Sequence, residues 1–572
     1  MLRGIHKDVE QMSAVETDLW VFRDGRNSVS SAGLLDELHT SLKKLLDSPR
    51  PHIREYCLNA LIRAGELESA LADAESLVRS ALAALTDALA FTLLSGNLSS
   101  VRRLTGSLSN LSLPQIVETS PPEGFSYYAL HPLDFADAGM RLANPPRPVA
   151  VIGIRSIGTT LSAVVAATLR GTGSSVERIT VRPSGHPYSR ITQFTSEHIR
   201  WIEKQKEQSA MFLVVDEGPG RSGSSFLSVG EALIDAGVPA AQLTLIGSHE
   251  PDLNLLCADD AARRWKAFHF RAAASRVDSR FSDHVFVGAG EWRRKLLPEA
   301  AMWPACWPRM ERVKFLSRDG TRLYKFEGLG PMGEAVQQRS RLVDQAGFGC
   351  SVTDAGDGFS CYAVAEATPM TAEEVDPIVL ERMAQYCAFR AAEFGAGGVP
   401  EPLAEMLRFN ISREFQIELN LNLDALQPSR LVVVDGRMQP HEWLRTKDGI
   451  LLKTDASTHG DDHFFPGPTD IAWDLGGVTV EWNLHPAALE FLLARFARLT
   501  GNDLRRTLPA FMLAYSVFRL AWCKMALSTV TDSSEQLRLR TAYRRYRNVT
   551  VRQMSQLGIR VRAASREQAT LV

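Results

Sequence analysis

Phe212-Leu-Val-Val-Asp-Glu-Gly-Pro-Gly-Arg-Ser-Gly-Ser-Ser225 decides how the middle of this chain is read. Apolar residues run into two adjacent acids, Asp216 and Glu217, and a Gly/Ser loop then opens into the helical pattern Phe226 to Ala236. So short an apolar run, bounded by turn residues, reads as a strand buried on both faces. Backbone N–H groups from Ser222 to Ser225, at the start of a helix, would cradle a phosphate dianion. The carboxylates beside them suit two vicinal hydroxyls, so a ribose 5-phosphate would satisfy both features at once. An ordinary strand-to-helix turn with a capping serine is the plain alternative.

The same plan recurs on either side. Val149 to Gly153 reads as a strand, a Gly/Ser/Thr loop follows, and Leu161 to Arg170 has helical spacing. Leu243 to Gly247 supplies a further strand. Strand–helix–strand alternation predicts a parallel sheet with covering helices. Between the two loops lies Arg182-Pro-Ser-Gly-His-Pro-Tyr-Ser-Arg190, basic and punctuated by Gly and Pro.

On these residues the segment of about 115–308 resembles the type I phosphoribosyltransferases, whose hallmark is a strand, an acid pair and a phosphate loop. The resemblance implies phosphoribosyl pyrophosphate (PRPP) as substrate and Mg²⁺ as cofactor. It places Asp216 and Glu217 on the ribose, with Arg155 adding charge at the catalytic centre. Arg221, Ser222, Gly223, Ser224 and Ser225 would hold the 5-phosphate, and Ser156, Ile157, Gly158 and Thr159 the pyrophosphate. Arg182, His186 and Arg190 would sit on a mobile loop that closes over the site. Four residues, Gly218 to Arg221, separate the acids from Ser222-Gly223, where the family has three. Surface roles for Arg155 and His186 stay open. The aromatic stretch Glu123 to Asp134 is a candidate acceptor pocket or a core cluster.

Beyond the Pro/Trp-rich stretch Met302 to Pro308 the texture changes to hairpins and then to long helices. Leu323-Tyr-Lys-Phe-Glu-Gly-Leu-Gly330 sets Lys325 on a strand, and a helix is predicted from Glu334 to Ala346. Asp435-Gly-Arg-Met-Gln-Pro-His-Glu-Trp-Leu444, Leu451-Leu-Lys-Thr-Asp455 and Asp470-Ile-Ala-Trp-Asp-Leu475 follow. Residues about 311–530 thereby resemble the aminoglycoside phosphotransferase branch of the protein-kinase-like fold. That resemblance implies nucleotide binding, with ATP as a cofactor, through Lys325 and Glu334, a hinge at Glu366 to Met370, metal ligation by Asp455 and Glu442, and structural acids at Asp470 and Asp474. Arg437 stands where the family has its catalytic Asp, and an arginine cannot act as a base. Asp435-Gly436 is also a strong turn signal, and Lys325 reads equally as a solvent-facing strand lysine. His459, Asp461, Asp462 and His463 form a polar cluster whose spacing matches no zinc pattern.

Composition sets outer limits. In 572 residues, 45% hydrophobic and 23% charged, the profile is that of folded protein. Lys plus Arg number 64 against 66 Asp plus Glu, a net charge of −2, which excludes a global basic field for nucleic acid or lipid. The 7 cysteines are dispersed and never pair as C-x-x-C, arguing against a disulfide framework or a structural zinc site. Met1 to Trp20 has no apolar core of a secretory leader, and no uninterrupted apolar stretch reaches the length of a membrane span. Arg538 to Arg552 is Arg-rich, and reads as a phosphate or nucleic-acid contact or, more commonly, as a solvated basic helix face that can dock on an acidic neighbour.

The expectation is therefore an α/β multidomain cytoplasmic chain. It would comprise a helical module (1–112), a parallel-sheet phosphoribosyltransferase-like domain (113–308) and a bilobal α+β kinase-like domain with a basic helical tail (309–572). Its expected function is PRPP-dependent transfer of ribose 5-phosphate to a nitrogenous acceptor, the fused half phosphorylating or binding the same metabolite. A non-catalytic PRPP or nucleotide sensor with an inactive kinase-like half is the alternative. The expected partners are a small phosphorylated metabolite and a second copy of the chain, not membrane or polynucleotide.

Overall fold

A computed structural model of the chain describes residues 19–23, 25–49, 52–108, 111–142, 146–297 and 299–559. The stretch read for a leader, Met1 to Trp20, lies outside the described residues apart from its last two. Five parallel strands form the central sheet, in the order Val176–Val181, Val149–Ile154, Met211–Val215, Leu243–Gly247 and His269–Ala272. The three inner strands are buried at every position, which is why they are unbroken apolar runs rather than alternating ones. Helix Ile157–Gly171 covers one face. The other face packs against Ser224–Asp235 and Ser196–Glu207.

The helical segment predicted upstream is present as Ser31–Asp47, Ile53–Asp73, Arg79–Ser95 and Ser99–Thr105. Its second helix, Ile53–Asp73, runs unbroken through Gly65. Gly65 does not interrupt it, because a Cβ there would lie 2.0 Å from Thr160 Oγ1. The missing side chain lets this helix approach Ile157–Gly171 closely; the chain breaks instead at Ala74–Val78, where Glu75 takes φ +51. Arg178 donates to the buried Glu68 and to the partly exposed Asp87 beside this contact.

An antiparallel sheet follows, ordered Val285–Phe286, Lys314–Leu316, Arg322–Phe326, Phe359–Ala363 and Val352–Gly356. Helix Gly330–Gln345 packs beside it. Its Phe315, Phe326 and Phe359 share one core with the helical segment and the parallel sheet. A three-stranded sheet, Ala367–Pro369, Trp443–Thr446 and Leu451–Lys453, connects to a lobe of long helices. Leu19, Val21 and Phe22 belong to the core of that lobe. All seven cysteines are free.

One helix, Leu508–Thr529, is long and apolar enough to cross a membrane, but 78% of its apolar window is buried inside the protein. Its neighbour, Ser533–Gln556, carries the Arg-rich tail. Arg545 donates to Glu481 at 2.9 Å and Arg547 to Glu414 at 3.3 Å, while Arg540, Arg544 and Arg552 are exposed.

Tyr515 and Tyr546 also donate to Glu481, each at 2.7 Å. Burial pushes the Glu481 carboxyl up, but Arg545, Arg519 and the two hydroxyls more than offset it, and its pKa lies below the usual glutamate value. A lowered folded pKa contributes stability that is complete above the unfolded value near ~4.3 and is lost as pH falls through the folded value. Glu481→Gln is expected to cost about 2 kcal/mol at pH 7. The gap between parent and variant, measured by urea unfolding from pH 7 to 3, should close only below about pH 4. A gap that is constant with pH would contradict the assignment.

Candidate functional site

A cavity of about 250 Å³ lies between the antiparallel sheet and the helical lobe. Strand geometry explains its ceiling. Side chains alternate along Arg322–Phe326, so Leu323 and Lys325 face the cavity while Tyr324 and Phe326 pack into the core. Lys314 stands opposite Lys325 in the antiparallel register and faces the same way. One end is apolar, formed by Leu323, Ala363, Val364, Ala365 and Leu444. That end runs along Ala365, Ala367 and Pro369, the last two within Glu366 to Met370, the segment expected as a hinge.

At its centre is a compact charged cluster. Lys325 Nζ donates to Asp455 and, at 3.1 Å, to Thr458 Oγ1, with Glu327 3.6 Å away. Asp455 follows strand Leu451–Lys453 and turns with φ +54, a left-handed conformation that non-glycine residues adopt at a cost. His459 lies 3.4 Å and Lys314 3.9 Å from its other oxygen. Burial would push the Asp455 carboxyl up, but Lys325, His459 and Lys314 hold it well below the usual carboxylate range. Glu442 also lines the cavity and accepts from the buried Lys453 at 3.0 Å.

The loop Asp435 to Glu442 is set from beneath. Asp474 accepts the backbone N–H of Asp435 at 2.8 Å and of Gly436 at 3.0 Å. Gly436 takes φ +82 beside the His459 backbone, where a Cβ would lie 3.3 Å away. This is the structural role expected of Asp474; Asp470 instead accepts from Ser429 and caps the following helix through Ala472. Asp435 is buried against Tyr386 and Lys453, so it does not reach the cavity, whereas Arg437 does.

Lys325, Asp455 and Glu442 are thus brought to one cavity, and Glu334 is not. Glu334, the fifth residue of Gly330–Gln345, points at Asn59 and Lys44 of the helical segment. Ser340 and Val343, on another face of the helix, line the cavity, and Arg339 beside them donates to Ser457 O and pairs with Asp461. Lys314, Lys453 and Arg312 were not singled out from sequence, although the strand pairing of Lys314 with Lys325 carries its own signal. The aromatic stretch Glu123 to Asp134 does reach a cavity, but this one, through Tyr127 and Tyr128. Among the described residues no cluster of three or more His, Cys, Asp or Glu forms a metal cage.

The Gly/Ser loop of the parallel sheet is arranged differently from the expectation. Ser222 and Ser224 both turn their hydroxyls to the carbonyl of Pro187. Pro187 is at the tip of the hairpin Ser184–His186/Ser189–Ile191, the segment expected to be a closing loop that includes Arg190. Ser222 Oγ also accepts the N–H of Ser224, and the position of a Gly223 Cβ is 3.1 Å from the Trp265 ring. A Cβ on Gly158 would lie 2.6 Å from Val215 O, so the upstream loop is packed onto the neighbouring strand. Arg155 and Arg182 converge on Asp73 of the helical segment, and Ser156 accepts from Arg182.

No protein-family model matches the chain. No curated protein matches it either. Among solved structures it is similar to a choline/ethanolamine kinase family protein from Mesorhizobium loti, at 16% identity and a TM-score of 0.31, covering 46% of this chain and 97% of that one. The choline kinase LicA from Streptococcus pneumoniae is similar at 12% identity and a TM-score of 0.29, over 41% of this chain and 89% of that one. The GDP complex of aminoglycoside 2'-phosphotransferase-IIIa is similar at 14% identity and a TM-score of 0.26, over 41% and 89%. Likenesses this distant carry no conclusion about what the chain acts on.

The expected phosphoribosyl transfer is corrected here. The likenesses are to kinases and phosphotransferases, not to a PRPP transferase. Of the loop whose N–H groups were expected to hold the 5-phosphate, the Ser224 N–H is taken by Ser222 Oγ and the Ser222 and Ser224 hydroxyls are bonded to Pro187 O, and the large cavity with its charged cluster lies elsewhere. PRPP as substrate, and the alternative of a PRPP sensor, both fall with it. What stands is a mixed α/β chain with a parallel sheet and a kinase-like likeness over part of its length.

Proposed function

We propose that the cavity beneath Lys325 binds a nucleoside triphosphate and transfers its terminal phosphoryl group to a small-molecule acceptor. The observation that carries this reading is the Lys325–Asp455 pair, set in one cavity with an apolar slot along Ala365 to Pro369. An apolar slot suits a base, and a buried lysine next to it suits phosphate oxygens. Mg²⁺ takes hard oxygen ligands and is bound through one or two carboxylates plus substrate phosphates. Asp455 and Glu442 are carboxylates on the wall of this cavity, and they fit that need. The metal would supply charge neutralisation of the phosphates.

The chain's own part is positioning. Lys325 and Lys314 offer two cations to the phosphates, and Asp474 fixes the loop that carries Arg437 and Glu442. A cytoplasmic setting belongs to the same reading, since a nucleoside triphosphate and the free thiols both suit it. The test is calorimetric titration of the full chain with a non-hydrolysable ATP or GTP analogue and Mg²⁺. Micromolar affinity is expected in the parent, with Asp455→Asn weakening the Mg²⁺ complex about tenfold or more. A parent protein without measurable affinity for any nucleoside triphosphate sinks the proposal.

A further inference from the structure

The end of the cavity away from the apolar slot holds two guanidiniums, of Arg312 and Arg437, that make no direct ion pair among the described residues. Arg312 is 8% exposed and lines the cavity. Its Nη1 donates to the backbone oxygens of Ser126 at 2.7 Å and Glu327 at 3.2 Å, while its buried Nη2 has no hydrogen-bond partner. A buried guanidinium is normally matched by a carboxylate, because an uncompensated charge away from water is costly. Arg437 lines the same cavity with its guanidinium against the Trp522 ring, 5.3 Å from the centroid, and it makes no ion pair among the described residues. His463, stacked on Phe22 at 5.5 Å and 4.7 Å from the Tyr127 ring, has two buried ring nitrogens without hydrogen-bond partners.

The acids nearby do not cancel this charge. Asp455 is taken by Lys325 and Lys314, Glu311 by Trp292, Lys314 and the Gly290 N–H, and Asp461 by Arg339 and Arg23. Asp462 faces this end and accepts the Phe464 N–H. Burial pushes its carboxyl up to about 6 against the pull of Arg312, the Phe464 N–H and Arg437, and it is one carboxylate facing two guanidiniums. The surplus is positive, and the rings of Tyr127 and His463 frame it.

We infer that this end of the cavity is an oxyanion subsite, in which Arg312 and Arg437 receive a carboxylate or phosphate group of the acceptor. A guanidinium presents N–H donors in a fork that matches both groups, and both offer the same paired oxygens. The subsite spans the fold, since Tyr127 and the Ser126 carbonyl that orients Arg312 come from the segment before the parallel sheet. The inference rests on the phosphotransfer reading for the word acceptor, but the anion site itself does not need it.

The test uses the full chain saturated with ADP and Mg²⁺, and again without nucleotide. Phenyl phosphate and benzoate are the probes, benzyltrimethylammonium is the cationic control, and binding is read by tryptophan fluorescence and melting temperature. At least one anion should bind, and Arg437→Gln should weaken it about tenfold with ADP affinity moving far less. Arg312→Lys, which keeps the charge but loses the fork, should weaken it less, and guards against misfolding of a neutral variant. Preference for phenyl phosphate assigns a phosphate, and preference for benzoate a carboxylate. Binding of neither anion, equal affinity in both variants and parent, competition with ADP, or preference for the ammonium each overturns the subsite. Loss of nucleotide binding with the anion site intact removes the phosphotransfer reading alone.

Discussion

Arg390→Met is expected to lower the unfolding free energy by about 3–5 kcal/mol, the cost of removing one partner from a buried charge network. Arg390 is fully buried within the helix Pro377–Glu393. It donates to Ala456 O at 2.6 Å, Val433 O at 2.7 Å and Tyr386 Oη at 2.8 Å. Asp435 and Asp474 lie 3.9 and 3.7 Å from it, both with fully buried side chains. The guanidinium therefore joins the segment before the Asp435 loop to the segment after Asp455, and it offsets two carboxylates. Methionine fills the space but leaves those acids with Lys453 as their remaining cation. Urea unfolding followed by tryptophan fluorescence is the measurement, with Trp443 and Trp473 in the same core. A cost under about 1 kcal/mol, the size of an ordinary neutral hydrogen bond, would falsify the view that this residue holds the two halves of the site together.

Lys325→Met carries the second large effect, and it separates stability from binding. Lys325 is buried between Asp455 and Glu327, and Glu327 is itself 0% exposed, accepting from the Tyr362 hydroxyl. Removing the ammonium leaves two acids facing each other in low dielectric, at an expected cost of about 3 kcal/mol or more. Asp455→Asn in the same chain relieves the repulsion, so the double variant should be more stable than Lys325→Met alone. Nucleotide affinity should behave the other way. Each single variant should lose about 100-fold, and the double should recover none of it, because the phosphate contact is gone whatever the acids do. Calorimetry and urea unfolding on the three variants give both readouts. Recovery of binding in the double variant would show that the pair matters only for folding.

How much of this was legible beforehand varies residue by residue. The inner strands of the parallel sheet were readable because strands buried on both faces need uninterrupted apolar side chains, and Val149 to Ile154 and Met211 to Val215 have them. Lys325, Asp455 and Asp474 were marked by the kinase-like resemblance of their motifs, and each sits at a strand end or in a first helical turn. Glu334 was misplaced. The kinase-like resemblance made it a partner for Lys325, but the helix begins at Gly330 and Glu334, just past its first turn, faces Asn59.

The Gly/Ser loop shows the limit most plainly. Ser222 to Ser225 has the composition of a phosphate cradle, and composition is all a local reading offers. What the hydroxyls bind depends on Pro187, 35 residues upstream for Ser222, and on the hairpin that carries it there. Tyr127 likewise gives no local sign that it faces His463, a residue of another part of the fold. By itself the sequence determined the elements: the buried strands, the long helices and the acids and lysine at their ends, because propensity and periodicity act over a few residues. Only the tertiary structure decided which loop is filled by its own chain and which cavity stays open, because burial and pairing of charge depend on residues hundreds of positions apart.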